Sequence, residues 1–397
     1  MDLTVKDTVS SAIILRKKTL RDLSHKIWSN PEIGFQEHLA HDIITSFLSS
    51  ENFQVEREFV LKTGFRATYK NSESSADGCP NICFICEYDA ACEIGHASGH
   101  NLLTTASLAA AIGLKSCVEK NLINAEVTVI GTPAELCGGG TKIDMIKHGA
   151  FKQVDAALML SPFDKNLASP PAFCLLSVTG KAAHYSAYPW EGKNALDAAV
   201  ACYNNIALLR QGLKPNWMVN GIITNGGAMP NIVPAITEMK FWLRAPSHTD
   251  LIFLQQKCAA CFVAAAKATG CEAQFNFEDN IYYPMIQNKR LGDLYKNCAN
   301  EVGLEMDTDE SATHIGSTDM GNVSQVVPCL DSAFNIGTSA VELSETFRDD
   351  CNTERAHENT LQAATALAYS AALLCKDKEK MSSVKEEFES QKTSLRV

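Results

Sequence analysis

Three short apolar runs, each followed by polar or acidic residues, constrain the fold of this chain more than any other feature. NICFICEYDA (residues 81–90) reaches Asp89, EVTVIGTPAE (126–135) reaches Glu135, and VDAALMLSP (154–162) reaches Ser161. Such runs are typical of buried strands. The helical stretches LLTTASLAAAIGLKSCVEK and KIDMIKHGAF separate them. The alternation predicts an α/β fold with a largely parallel sheet covered by helices.

The ends of these predicted strands indicate where a site would lie. Ligands of open α/β sheets bind beyond the carboxyl ends of the strands. We therefore expect Asp89, Glu135 and Ser161 to converge at one edge of the sheet.

Two motifs beside these strand ends could carry chemistry. EIGHASGHN (93–101) holds two histidines four residues apart, which could ligate a metal or could simply be loop histidines bonded to backbone. GTPAELCGGG (131–140) places Glu135 before three glycines, which suit either a structural turn or a close approach to a ligand. A phosphate-binding loop does not fit, because no Lys-[Ser/Thr] pair follows the glycines.

A second pattern of elements occupies residues 174–285. Its predicted order is βαββαβ, a two-layer lid or dimerisation domain inserted into the first domain. The six segments are LLSVTGKAAH, NALDAAVACYNNIALLRQ, VNGIITNGG, TEMKFWLRAP, TDLIFLQQKCAACFVAAAKATG and CEAQFNFEDN. The catalytic domain is therefore predicted in two parts, 1–173 and 286–375, and the charged tail 376–397 is expected to fray.

Composition and charge exclude several classes of protein. With 46% hydrophobic and 20% charged residues, the 397-residue chain is predicted to be globular. A net charge of −11 without a basic cluster argues against nucleic-acid binding. No window approaches 18 uninterrupted apolar residues, so no membrane span is expected. The 15 cysteines are odd in number and often lie in apolar stretches, as free thiols do. We expect a reduced, cytoplasmic protein.

Several motifs together resemble those of the M-twenty peptidase family, which includes aminoacylases and carboxypeptidase-G-like metallopeptidases. The nearest branch is that of cytosolic dipeptidases and N-acyl-amino-acid amidohydrolases. The resemblance covers roughly residues 10–375 and rests on EYDA, EIGHA.GHN, GTPAE..GGG, YPWEG.NALDAA, NGG..PNI.P, RAP and GSTDMGNVS. It implies a catalytic α/β domain with a metal centre and an inserted lid that often dimerises.

The resemblance also implies roles for individual residues. Glu135 matches the general acid/base, and His184 matches a lid histidine that stabilises developing negative charge on an oxygen. Asn231 and Arg244 match positions that anchor the substrate. Further candidates for substrate binding are Asp319 in GSTDMGNVS, His100 and Asp89.

The metal-ligand positions implied by the resemblance depart from the family pattern. The Cys of the family's HACGH loop is Ser98, and the second Glu of PAEE is Leu136. The His of a His-Pro pair is Ser161, and the C-terminal His-Thr pair falls near Leu343-Ser344. Zinc is bound by thiolate, imidazole or carboxylate, and these replacements offer none of them. We therefore expect the metal site to be lost, with no metal and no other cofactor.

Without a metal, hydrolysis would lack the ion that lowers the pKa of water and polarises the amide. We therefore predict a metal-independent enzyme, with Glu135 as proton shuttle and His184 as oxyanion stabiliser. Its task would be cyclisation, condensation or isomerisation of a small amino-acid-derived molecule in a biosynthetic pathway. Cys137 and Cys92 adjoin the site and are possible nucleophiles, although inert thiols are the alternative.

Two other functions stay open from the sequence. One is a catalytically inactive family member that acts as a binding or regulatory subunit. The other is a residual metal-dependent dipeptidase or amidohydrolase. In each case the expected partners are a small molecule with a carboxylate and a second copy of the chain, which would form a homodimer through the lid. No nucleic-acid or membrane partner is expected.

Overall fold

The structure is a computed structural model that describes residues 2–71, 78–163, 193–277, 280–307 and 318–394. The chain divides into two compact units. The first comprises Met1–Pro170, Met285–His314 and Asn322–Val397, and the second comprises Pro171–Pro284 and Ile315–Gly321.

The strands of the described residues are, in chain order, β1 (Gln54–Arg57), β2 (Phe65–Tyr69), β3 (Asn81–Cys86), β4 (Glu126–Gly131), β5 (Ala156–Phe163), β6 (Met218–Asn225), β7 (Glu238–Arg244) and β8 (Cys329–Asn335). The helices are α1 (Leu3–Leu15), α2 (Lys17–Ser29), α3 (His38–Ser50), α4 (His100–Glu119), α5 (Thr141–Lys147), α6 (Ala195–Leu209), α7 (His248–Thr269), α8 (Lys289–Glu301), α9 (Met320–Val323), α10 (Glu345–Asp350), α11 (Glu354–Lys376) and α12 (Lys378–Ser394).

The first unit is built on a six-stranded sheet in the order β1-β2-β4-β3-β5-β8. The four strands β4, β3, β5 and β8 run parallel, and β1 and β2 extend the sheet antiparallel. The predicted α/β class with a largely parallel sheet is confirmed. Cys86 pairs with Gly131 at the ends of β3 and β4, so the segments that follow these two strands leave the sheet side by side.

Helix α4 is the central helix of the first unit. It packs against α1, α2 and α11 and lies on β3, β4 and β5. Its start depends on Gly99, which has φ +75° and would bring a Cβ within 2.7 Å of Pro162 Cγ. Glycine alone accepts this conformation and this approach without strain. Both α4 and α7 are long and apolar enough to cross a membrane, and 94% of the α4 window is buried inside the protein.

The second unit contains the predicted helix–strand–strand–helix core. Strands β6 and β7 form an antiparallel ribbon, and α6 and α7 pack against each other. The first predicted strand, LLSVTGKAAH, lies outside the described residues. The last one, CEAQFNFEDN, is wrong where the structure describes it, because residues 271–277 form no strand. Phe275 instead packs its ring 5.6 Å from that of Phe262 on α7.

The charged C-terminal tail was predicted to fray, and this prediction is wrong. Residues Lys378–Ser394 form α12, whose side chains Met381, Val384 and Phe388 are buried. Their spacing of three and four residues makes one apolar face on a helix. The side-chain amide of Asn288 also donates to the carbonyl of Val384 at 2.9 Å.

Candidate active site

Four ionisable side chains meet at the carboxyl ends of β3 and β4. Glu87 and Asp89 follow β3, His100 begins α4, and Glu135 lies in the turn after β4. His100 Nε2 is 3.3 Å from Glu87 Oε2 and 3.9 Å from Glu135 Oε2. All four side chains are buried. Of the three residues expected to converge, Asp89 and Glu135 therefore belong to this group, whereas Ser161 does not and His100 joins them.

Asp89 orients the imidazole of His100. Nδ1 of His100 lies 2.9 Å from Asp89 Oδ1, which leaves Nε2 facing the two glutamates. Burial alone would lower the pKa of His100, but the hydrogen bond and charge of Asp89, with the charges of Glu87 and Glu135, raise it to about 9. A carboxylate behind a histidine is the usual arrangement for a metal-binding imidazole, because it fixes the ring orientation.

The second oxygen of Asp89 binds the turn that carries Glu135. The backbone N–H of Leu136 donates to Asp89 Oδ2 at 2.8 Å. Burial alone would raise the pKa of Asp89, but the bond and charge of His100, with this N–H, bring it below its usual value. Asp89 therefore stays ionised while it holds both neighbours.

Sequence reasoning missed Glu87 and its partner Lys142. The ammonium group of Lys142, on α5, donates to Glu87 Oε1 at 2.6 Å, and both side chains are buried. The available signals were a glutamate at the end of an apolar strand and a lysine directly after a glycine-rich turn. Charged residues are seldom buried unless they are paired, so each could have suggested the other.

The turn before Glu135 has an unusual backbone. Ala134 has φ +59°, a left-handed conformation that is costly for a residue with a Cβ. Its N–H donates to Glu37 Oε1 at 2.7 Å, and its carbonyl accepts the N–H of Gly139 at 3.0 Å. The hydroxyl of Thr141 donates to the carbonyl of Pro133 at 2.5 Å. Hydrogen bonds therefore hold this turn at several successive residues.

Asp331 is a further buried carboxyl group in the first unit. It lies on β8 and accepts a hydrogen bond from Ser161 Oγ at 3.0 Å. Burial raises the pKa of Asp331 to about 7; the bond from Ser161 and the charge of Lys142 lower it in part, whereas the charge of Glu87 raises it. The predicted site residue Ser161 is thus occupied by a hydrogen bond to Asp331.

The donor atoms of Glu87, His100 and Glu135 fit a single divalent cation. They lie within 4.8 Å of one another, and they are the one such group of three or more among the described residues. Bonds of about 2.1 Å to a tetrahedral ion place its ligand atoms about 3.4 Å apart, close to the 3.3 Å and 3.9 Å that separate His100 Nε2 from the two glutamates. The expected loss of the metal site is therefore not confirmed, since Glu87 supplies a donor outside the positions compared from sequence.

The substituted positions have other roles or no donor. Ser344 caps α10 by accepting the N–H of Phe347 at 3.2 Å. Ser98 is buried, and Leu136 has an alkyl side chain. Of the two histidines in EIGHASGHN, His100 belongs to the donor group. Burial lowers the pKa of His96 to about 3, so that imidazole is neutral.

One of the two candidate nucleophiles, Cys137, differs from an activated thiol. Cys137 is exposed, but desolvation of its thiol and the negative charge of Asp89 raise its pKa to about 11. A nucleophilic cysteine needs a lowered pKa, so Cys137 does not meet this requirement. Cys92 is exposed in the loop after Asp89.

The remaining predicted site residues lie in the second unit or outside the described residues. Asn231 is exposed, Arg244 is half-buried at the end of β7, and Asp319 is buried just before α9. His184 lies outside the described residues. The roles assigned to these four residues stay predictions.

Comparisons with known proteins agree on one family. The model of peptidase family M20/M25/M40 matches residues 87–372. The chain is 43% identical to the Xaa-Arg dipeptidase of Mus musculus, over 88% of this chain and 84% of that protein. It is 40% identical to the Xaa-Arg dipeptidase of Homo sapiens, over 92% and 88%. A solved dinuclear metal binding M20 peptidase from Bacillus subtilis shares the fold, with a TM-score of 0.63 and 17% identity over 91% of this chain and 98% of that one.

Proposed function

Since this chain belongs to peptidase family M20/M25/M40, we propose that it hydrolyses the amide bond of a dipeptide or an N-acyl amino acid. The observation that supports this most is the buried group of Glu87, His100 and Glu135, with Asp89 behind the imidazole. This group combines metal-ligand atoms with a carboxylate able to transfer protons.

The three residues would hold one divalent cation, which when bound polarises a carbonyl group and lowers the pKa of water. Asp89 keeps the His100 ring in place through Nδ1. The ammonium group of Lys142 binds Oε1 of Glu87 and compensates its negative charge, while Oε2 of Glu87 faces His100.

We assign the proton transfer to Glu135. Its carboxylate has two oxygens, so Oε2 can face the donor group while the other oxygen accepts a proton from the attacking water. The same carboxyl group then gives that proton to the leaving amine, as general acid–base catalysis of amide hydrolysis requires.

The substrate class follows from two lines of support. The relatives matched at 43% and 40% identity are Xaa-Arg dipeptidases, so dipeptides with a C-terminal arginine are the first substrates to test. The family resemblance assigns Asn231 and Arg244 to substrate binding, and a guanidinium group binds a carboxylate well. A substrate with a free carboxylate next to the scissile amide suits both.

The metal-independent biosynthetic reaction expected from the sequence finds no support in these relatives, whose names describe hydrolases. A binding subunit without turnover is the second candidate. It is favoured by Ser98, Leu136 and Ser161. These residues stand where the family pattern has metal ligands, and they offer no thiolate, imidazole or carboxylate.

One experiment separates these functions. The purified protein is assayed on Xaa-Arg dipeptides and N-acyl amino acids, after chelation and after addition of manganese or zinc, and its metal content is measured. We expect hydrolysis that chelation abolishes and metal restores, and loss of turnover in folded Glu135→Gln. His100→Ala removes one residue of the donor group, and His25→Ala, at an exposed histidine, is its control. A metal-free, inactive wild type that still binds dipeptides would favour the binding subunit instead.

A further inference from the structure

We propose that Glu37 is a positioning residue for Glu135, acting through the backbone of the preceding residue. Glu37 and Asp89 bind the two backbone N–H groups on either side of Glu135, those of Ala134 and Leu136. The proposal deepens the hydrolytic function proposed above and rests on it.

Two hydrogen bonds, one to Glu37 and one to Asp89, form a clamp around Glu135. Ala134 N–H donates to Glu37 Oε1 at 2.7 Å, and Leu136 N–H donates to Asp89 Oδ2 at 2.8 Å. Both carboxylates are fully buried. The bond to Asp89 is charge-assisted because that carboxylate is ionised, and such a bond is stronger than one to a neutral acceptor. The peptide groups on both sides of Glu135 are therefore fixed, and with them the direction of its side chain.

The backbone of Ala134 needs such an external partner. A non-glycine residue at φ +59° persists only where its surroundings compensate for the strain. Ala134 is fully buried, so the Glu37 carboxylate takes the place of solvent as the acceptor of its N–H. Without that acceptor, the turn can relax toward an unstrained conformation and move Glu135.

Glu37 is itself held rigidly and apart from the donor group. Its Oε2 accepts the hydroxyl of Thr63 at 2.9 Å. The carbonyl of Thr63 in turn accepts the hydroxyl of Tyr88 at 2.5 Å and lies 3.0 Å from Nδ1 of His41. The Glu37 carboxylate accepts hydrogen bonds from Thr63 and Ala134 and is not one of the three donor residues, so a variant at Glu37 tests the position of Glu135 without removing a donor atom.

The test compares Glu37→Ala with Glu37→Gln. Glutamine keeps an oxygen for the Ala134 N–H, and its amide can donate to the Thr63 hydroxyl, so it should rescue the geometry. The matched control is Glu32→Ala, because Glu32 also accepts two backbone N–H groups, those of Leu39 and Ala40, but lies outside the turn.

Two measurements are made on each variant: amide hydrogen exchange of residues 132–141, and kcat and KM on an Xaa-Arg dipeptide in the metal-loaded protein. For Glu37→Ala we expect exchange in this segment at least about tenfold faster. We also expect kcat to fall about tenfold to hundredfold with little change in KM, because misplacing a catalytic group by about 1 Å has effects of that size. Glu37→Gln and Glu32→Ala should stay close to wild type in both.

Unchanged exchange and unchanged kcat in Glu37→Ala would overturn the proposal, as would equal losses in Glu32→Ala. If the wild type hydrolyses none of the substrates, the proposed function fails separately. The exchange data then still decide whether Glu37 holds the turn, since protection of residues 132–141 does not depend on turnover. If Glu37→Ala does not fold, Glu37→Leu at a similar volume replaces it in the same comparison.

Discussion

The ammonium nitrogen of Lys142 lies 2.6 Å from Glu87 Oε1 in the interior of the first unit. This buried ion pair connects the start of α5 to the end of β3, and it leaves the second oxygen of Glu87 directed at His100. Lys142 therefore compensates a charge within the candidate active site and also joins the two segments that follow β3 and β4.

Replacing Lys142 with methionine should be strongly destabilising. It keeps most of the side-chain volume but leaves Glu87 buried without its cation, and breaking such a pair costs about 3–5 kcal/mol of unfolding free energy. Lys147→Met is the matched control on the same helix, where the lysine is 58% exposed and pairs with Asp144. It should cost less than about 0.5 kcal/mol. Urea unfolding of both variants checks this, and equal stabilities would contradict it.

The buried carboxyl group of Asp331 should make stability depend on pH. Its pKa is about 7 in the folded protein and 3.8 in the reference state, so the folded protein favours the protonated form. The contribution of Asp331 to the free energy of unfolding is therefore fully present below pH 3.8 and is lost as the pH rises through 7. The difference corresponds to about 4 kcal/mol.

In Asp331→Asn, the unfolding free energy relative to wild type should therefore rise between about pH 4 and pH 7 and then level off. Taking the difference between the two proteins removes the contributions of other titrating groups, such as His96. Denaturant unfolding at intervals of one pH unit measures it. A difference that does not change over this range would show that Asp331 is ionised throughout.

Replacing Cys137 with serine should leave hydrolysis within about threefold of wild type, because a thiol with a pKa of about 11 supplies little thiolate at neutral pH. Labelling of Cys137 by iodoacetamide should accelerate steeply above pH 9 for the same reason. Cys92→Ser is measured alongside, as the second thiol expected near the site. A loss of more than about a thousandfold in either variant would restore the covalent mechanism.

Replacing Gly131 with alanine adds one methyl group at the end of β4. It should disrupt the start of the turn that carries Glu135. A Cβ there would lie 2.0 Å from Cε1 of Phe65 on the neighbouring strand. Overpacking of this kind costs about 1–3 kcal/mol, so Gly131→Ala should lower the unfolding free energy by at least about 1 kcal/mol. Gly212→Ala meets no atom within 4 Å and provides the control. Thermal unfolding of the pair measures the contrast.

The pattern of apolar runs was sufficient to predict β3, β4 and β5 as parallel strands with Asp89 and Glu135 beyond their ends, and the motif EIGHASGHN indicated His100. Each of these residues lies just beyond a strand or at the start of a helix, where one-dimensional periodicity is informative. Glu87 was missed because its role depends on Lys142, 55 positions later, and sequence patterns do not report such pairs.

The metal site shows the same limit from another side. Comparing positions with a family motif showed which donors are absent at Ser98, Leu136 and Ser161, but not that Glu87 and His100 face each other at 3.3 Å. The α12 helix was missed because its charges outnumber the three apolar residues that anchor it. In both cases the decisive information lies in contacts between distant segments.

Helix α4 carries His100 at its first residue, and α11 covers much of its length. During synthesis, residues 37–142 leave the ribosome more than 200 residues before α11 does. This segment includes the donor group and both carboxylates that hold the turn around Glu135. The apolar face of α4 that packs against α11 therefore stays uncovered until the last part of the chain has been synthesised. A nonsense mutation after Lys142 and before Glu354 would thus yield a product that contains the whole donor group and yet cannot bury the helix that supports it.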